Sequence, residues 1–224
     1  MFYFAMFVMA WDVVSGYTGQ ISFGHSVFFA VGGFTSALLN LNYGLTPFLS
    51  IPAGVVLATV VGLLVGIPVL RLRGPYLSLV TLILPLVMLQ MFNIFSETFT
   101  GLGSPDPLFG IVVTRNESGA VVGALEQYYL GFVLFLLVLM ILLAVTRSDA
   151  GRVSTAIRES EDVIDGAGLN PAKFKIFAFA LSAGIGGFAG ATFVHTVGTA
   201  DTQSLLVLTV NIEIIIAAII GGMG

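Results

Sequence analysis

The chain has 224 residues, of which 57% are hydrophobic and only 9% charged, with a mean hydropathy of +1.05 and a pI near 4.9. Soluble domains carry about a quarter charged residues, so this is the composition of a membrane protein. A formal charge of -4 leaves no basic face for nucleic acid, and the absence of cysteine removes disulfides, thiolate chemistry and Cys-ligated metal sites.

Residues 1–14 are apolar apart from Asp12, too short to cross a bilayer unaided, and without the basic start and cleavage site of a signal peptide. A chain cut at its front is expected. Because it also stops within an apolar run at IIGGMG, a cut at the far end is expected too. Next comes GYTGQISFGHS, in which Gly16, Gly19, Gln20, Ser22, Gly24 and His25 interrupt the apolar sequence. Two readings fit. Gly16 to His25 form an unwound turn at membrane depth that opens the amino terminus of the following helix to a permeation path. Alternatively they form an ordinary turn that caps that helix through Ser22.

Six stretches then supply the roughly 20 apolar residues that a spanning helix requires: 22–41, 48–70, 75–95, 128–146, 173–198 and 205–223. Gly54, Ala58, Gly62 and Gly66, and likewise Ser182, Gly186 and Gly190, recur every four residues, a spacing that lets helix backbones approach closely in lipid. Packing is the first reading of these glycines, and contact with a solute the second. Pro75 is placed to begin a helix, whereas Pro68 and Pro85 should kink one. The expected fold is all-α: one transmembrane helical bundle over residues 1–224 with about six to seven membrane segments.

The loops fix the orientation. Seven of the 8 basic residues fall in two places: Arg71 and Arg73, then Arg147, Arg152, Arg158, Lys173 and Lys175. Two crossings separate these places, so both face the cytoplasm, and the acidic, Gly- and Pro-rich segment 96–127 faces out. That outer loop contains Asn116-Glu117-Ser118, a match to the glycosylation sequon, a pattern short enough to arise by chance. The inner loop, about 147–172, contains AGRVSTAIRESEDVIDGAG. Capped by Ser148 or Asp149, it predicts a helix over 149–168 with Val153, Ala156, Ile157, Ser160, Ile164 and Ala167 on one face, ended by Gly166 and Gly168. Its polar face is acidic, which anionic lipid repels, so a protein partner suits it better than a membrane surface. Isolated polar groups within spans tend to face a bundle interior, and these are Asp12, His25, Thr81, Asn93, His195 and Glu213. Glu213 is the best candidate for an internal ionic or path-lining group, and His195 belongs near the outer interface. An intramembrane enzyme built on His25 or His195 lacks a paired His motif and a nucleophile in a diagnostic setting. A passive channel or secondary transporter fits the composition but leaves the acidic helix unexplained.

GYTGQISFGHSVFFAVGGFTSALL, GIPVLRLRGPYLSLVTL, GRVSTAIRESEDVIDGAGLNPAKFKIFAFALSAGIGGFAGA and IEIIIAAIIGGMG, in that order, resemble the signature blocks of the branched-chain amino acid ABC-transporter permeases of LivM type. The resemblance covers nearly the whole chain, and members of the family run longer. It implies a cell-membrane import permease that is not itself an enzyme, without a cofactor. It implies as partners a second permease subunit, two cytoplasmic ATPases and an extracytoplasmic amino-acid-binding protein. Arg152, Ala156, Arg158, Glu159, Glu161, Asp162, Gly166 and Gly168 would form the segment coupled to the ATPase. Gly16, Gly19, Gln20, Ser22, Gly24, His25, Thr81 and Glu213 would lie on the substrate path, and Gly62, Gly66, Gly186 and Gly190 in helix packing. Hydrolysis would reside on the partners, since the chain has no phosphate-binding G-x-x-x-x-G-K-[ST] loop. Permeases for urea and short amides share the RGPYLSLVTL block, so branched-chain amino acids and urea or amides both remain as substrates.

Overall fold

The computed structural model describes residues 1–69, 75–95, 102–115, 121–206 and 208–222. Arg71, Arg73 and the Asn116-Glu117-Ser118 sequon lie outside the described residues. The chain folds as helices α1 (Phe2–Thr18), α2 (Ser26–Tyr43), α3 (Pro47–Val69), α4 (Pro75–Ile94), α5 (Ala124–Thr146), α6 (Asp149–Glu159), α7 (Glu161–Gly166), α8 (Pro171–Val197), α9 (Thr202–Leu205) and α10 (Leu208–Gly221). Between α4 and α5 a 3-10 turn, Leu108–Gly110, is followed by two-residue strands β1 (Thr114–Arg115) and β2 (Val121–Val122), paired antiparallel with Thr114 opposite Val122. Among the described residues the bundle is all-α apart from this ribbon.

Four segments, Pro47–Pro68, Tyr76–Ile94, Ala124–Thr146 and Pro171–Val197, are long and apolar enough to cross a membrane. Their burial sorts them. In α8, 61% of the most apolar stretch is buried, against 17% in α5, so α8 is the axis of the bundle and α5 turns most of its surface outward. The sequence of α8 explains its place. Asn170 Oδ1 accepts the Ala172 N–H at 3.0 Å and Pro171 occupies the first turn, which starts the helix cleanly. Small residues then line its contacts with α1, α2 and α3. A Cβ on Gly190 would collide with the Phe29 carbonyl, one on Gly187 with Ala58, and one on Gly62 with Ala183. At Gly66 it would stand 2.8 Å from the Phe179 ring. Backbones therefore meet where side chains are missing, the usual device for holding helices together in lipid. Gly32, which the every-fourth-residue pattern passes over, is the tightest partner on α2, since a Cβ there would strike the Gly187 backbone. At Gly186 a Cβ would make only ordinary contact, 3.4 Å from Phe28 Cβ.

Several boundaries differ from expectation. The first helix runs through Gly16 to Thr18, with Ser15, Gly16 and Thr18 buried, and reaches 17 residues, the low end of spanning length. The fourth long span begins at Ala124 instead of 128, which brings Glu126 into its first turn. Pro75 starts α4 as expected, and Pro68 and Pro85 lie inside α3 and α4. The last apolar run is not one helix: it divides into α9 and α10, and Leu205 and Leu206 at the division are buried. The expected 149–168 helix also divides, because Ser160 is extended (φ -159, ψ 108) between α6 and α7, at the N-cap position of α7 without a side-chain cap bond. Its buried face is Gly151, Ser154 and Ile157, whereas Val153 and Ala156 are half-buried and Ala167 is exposed.

Candidate functional site

The interruption after α1 is real but shorter than Gly16 to His25. Gly19 adopts φ +71, a left-handed backbone that ends α1, and residues 19–25 then run without helix into α2. This strand of chain folds back on α1. Ser15 Oγ donates to the Gln20 carbonyl at 3.1 Å, and Trp11 Nε1 donates to the Ser22 carbonyl at 2.7 Å. On its other side it is tied to α4. Ser78 Oγ donates to the Ile21 carbonyl at 2.7 Å, and Thr81 Oγ1 accepts the Phe23 N–H at 3.0 Å. Gly24 sits so close that a Cβ would stand 2.5 Å from the Thr81 carbonyl.

The beginning of α2 is sealed rather than open. The Ser26 N–H donates to Asn211 Oδ1 at 2.8 Å, Asn211 Nδ2 returns a bond to Ser26 Oγ at 2.6 Å, and the Val27 and Phe28 amides reach the Gly24 and His25 carbonyls, both at 3.1 Å. His25 is fully buried, with Nε2 2.6 Å from Ser182 Oγ, whose hydroxyl donates to the Ala10 carbonyl. A hydroxyl has one proton, so Nε2 must carry the proton of the His25–Ser182 bond. The Ser22 hydroxyl accepts the Gly24 N–H at 3.4 Å, a turn contact inside the segment and not a cap on α2. In this conformation the amino-terminal amides of α2 are therefore occupied by protein, which does not fit the first of the two readings, a turn that opens them to a permeation path.

Around this junction the expected residues separate into groups. Gly16, Gly19, Gln20, Ser22, Gly24, His25 and Thr81 come together. Arg158 joins them from α6: its Nη1 donates to the Gly16 carbonyl at 2.7 Å, and its Cγ lies 3.2 Å from where a Gly19 Cβ would stand. A cation there also faces the negative end of the α1 dipole. Glu161 is not a free surface acid, because its Oε2 is 2.7 Å from Nζ of Lys175, whose side chain is 8% exposed. Arg152 pairs with Asp149 at 3.2 Å in the open, and Glu159, Asp162, Gly166 and Gly168 are exposed.

Glu213 stands apart from the junction. It lines a cavity of about 980 Å³ bounded by the starts of α1 and α5, the end of α8, α10 and residues 104–113. Phe7 and Phe29, stacked at 4.7 Å, form part of the wall together with Phe4 and Phe193. His195, expected to need no particular role, holds the lip. Its Nδ1 donates to the Asp106 carbonyl at 2.7 Å, and Nε2 faces the Ser36 and Ser50 hydroxyls at 2.8 and 3.2 Å. Asn40 completes this clasp by exchanging bonds of 2.9 and 2.8 Å with Asp106. Asn211, Ser36 and Asn40 were not singled out from the sequence, and Lys175 entered it only as one of the basic residues that fix orientation; for the first three the only local signal is a polar residue in an apolar run. No group of three or more His, Cys, Asp or Glu side chains suited to a metal occurs among the described residues.

Residues 1–224 match the family described as branched-chain amino acid transport system / permease component. The chain is 32% identical over 233 residues to the high-affinity branched-chain amino acid transport system permease protein LivM of Escherichia coli strain K12, covering 95% of this chain and 55% of that protein. The figures for LivM of Salmonella typhimurium strain LT2 are 31%, 95% and 55%. A probable branched-chain amino acid transport permease protein LivH of Methanocaldococcus jannaschii is 25% identical over 213 residues, covering 92% of this chain and 66% of that protein. The chain thus spans about half the length of the LivM relatives it matches. No solved structure matches it. Signature blocks, helical bundle and family match agree, and the chain belongs to the permease components of branched-chain amino acid transport systems, multi-pass proteins of the membrane.

Proposed function

We propose that this chain forms the translocation core of a permease subunit in an ATP-driven importer of branched-chain amino acids, in the cell membrane. It works with a second permease, two ATPases on the cytoplasmic side and a binding protein outside. The observation that carries this reading is the link from the acid-rich α6–α7 segment to the end of α1 through Arg158 and Gly16. A segment pushed by a nucleotide-driven partner needs a stiff connection to the bundle, because energy reaches a pore only through contacts that differ between two states.

On this reading α6 and α7 lie in the cytoplasm, and the exposed acids Glu159 and Asp162 face the ATPase. Movement of α6 pulls on the carboxyl end of α1, on which residues 19–25 are folded. That segment is bonded in turn to α4 and is continuous with the start of α2, which Asn211 holds to α10. A shift of the pin therefore reaches four helices at once, α1, α2, α4 and α10.

The test is transport by the full permease with its ATPases and binding proteins in proteoliposomes. Leucine uptake that depends on ATP, with a cysteine at Glu159 crosslinking to an ATPase, supports the proposal. Uptake of urea or a short amide without leucine would change the substrate, and crosslinking only from the opposite loop would reverse the orientation and defeat the coupling scheme.

A further inference from the structure

We infer that the cavity beneath the Asp106 clasp is a recognition site for a primary ammonium compound with an apolar side chain, with the Glu213 carboxylate as the ammonium partner. The inference rests on the import reading only for which ammonium compound arrives there. Three observations carry it.

Glu213 lies on α10, within the apolar region, where a charged group is costly unless it is paired or wet. It has no hydrogen bond or ion pair among the described residues; no Lys or Arg lines the cavity, and the Met1 amino terminus, which does line it, makes no ion pair with it. The His195 nitrogens cannot serve it, since both are engaged in the clasp. Among the described residues the carboxylate is thus a negative charge without a bonded partner, facing open space.

The walls supply the rest of the recognition. Phe4, Phe7, Phe29 and Phe193 present apolar faces for an aliphatic side chain, and aromatic faces also attract an ammonium group. The volume of about 980 Å³ lies at the upper end of the range for small-molecule pockets, roughly 300–1,000 Å³. Apolar walls with one well-placed acid select against solutes that lack either half. Urea and short amides carry no ammonium, so on this inference the cavity discriminates among the substrates of related permeases. A phosphatidylethanolamine headgroup shares the ammonium chemistry and is the competing source of it.

The experiment uses the full permease complex in nanodiscs of phosphatidylcholine. Val112, exposed on the cavity wall, is replaced by cysteine in a cysteine-free background, and maleimide labelling is timed. Leucine and leucinol, which keep the ammonium, should slow labelling at least threefold. 4-Methylpentanoate, which has the apolar chain alone, should not, and neither should urea. In E213Q the leucine concentration for half-protection should rise at least tenfold, while E213D keeps part of the protection. Equal protection by 4-methylpentanoate, or unchanged protection in E213Q, would overturn the inference. So would protection by added phosphatidylethanolamine that leucine cannot relieve or extend. Leucine uptake measured in parallel separates the two proposals: uptake without protection sinks this site, and protection without uptake sinks the import scheme.

Discussion

The two ends of this bundle treat polar groups in opposite ways. At the Arg158 end, residues 19–25 cross between helices, and of their buried side-chain polar atoms only Gln20 Oε1 and His25 Nδ1 lack a partner among the described residues. At the Asp106 end a clasp of matched groups, His195, Ser36, Ser50, Asn40 and Asp106, stands beside a wide aromatic cavity containing an unmatched carboxylate. Saturated hydrogen bonding makes a rigid joint, since each bond broken within a dry interior costs the desolvation of both groups. An unmatched charge beside an open cavity keeps its interaction for something else. Force transmission suits the first end and solute recognition the second.

The comparison can be broken most severely at the glycines that hold the two ends together. Gly190→Val should prevent recovery of folded protein, because its side chain would enter the Phe29 backbone and nothing there can move aside. Gly187→Ala, which meets Ala58, should cost about 1–3 kcal/mol, the range for overpacking, read as a fall in melting temperature of the purified complex. Gly186→Ala should be close to neutral in the same assay, because a Cβ there meets Phe28 at an ordinary distance.

The Lys175–Glu161 pair gives an asymmetric prediction. E161Q leaves the ammonium of a side chain only 8% exposed without its partner, whereas K175M leaves a carboxylate that is 35% exposed and can take up water. Loss of a partner from a fully buried pair costs about 3–5 kcal/mol; the half-exposed acid reduces this to about 1–3 for E161Q, and less for K175M. Thermal unfolding of both variants checks the order, and an equal loss would mean that the ammonium finds another partner. Ser182→Ala should cost less again, about 1–2 kcal/mol, by taking the hydroxyl from His25 Nε2 and the Ala10 carbonyl. Arg152→Ala, which removes a pair whose side chains are 75% and 94% exposed, should leave the melting temperature unchanged.

What the sequence made legible was local. Apolar runs of spanning length located the long helices, Pro75 and Asn170-Pro171 marked starts, and the spaced small residues placed Gly62 and Gly190 at helix contacts. The acidic segment was found too, but its buried face was misjudged. Hydrophobic ranking favours Val153 and Ala156, yet the turn from α5 into α6 is so tight that a Cβ on Gly151 would collide with the Thr146 backbone, and smallness decides the face. The break at Ser160 was hidden because the apolar pattern continues through it. The remaining features depend on partners far away in the chain: Asn211 with Ser26 across 185 residues, His25 with Ser182 across 157, Arg158 with Gly16 across 142. No local periodicity encodes such pairs. Glu213 could be recognised as an isolated acid in an apolar run, but its separation from the 19–25 segment could be seen only in the fold.

The measurement closest to the central claim is the number of leucine molecules taken up per ATP hydrolysed by the full complex when the pin is removed. Arg158→Met keeps much of the aliphatic stem against Gly19 but loses the bond to Gly16. The account predicts an assembled complex whose ATP hydrolysis stays within about twofold of the parent, about 0.4 kcal/mol, while uptake falls at least tenfold. A variant in which uptake and hydrolysis fall together, or neither changes, would contradict the role of this contact in carrying motion into the bundle.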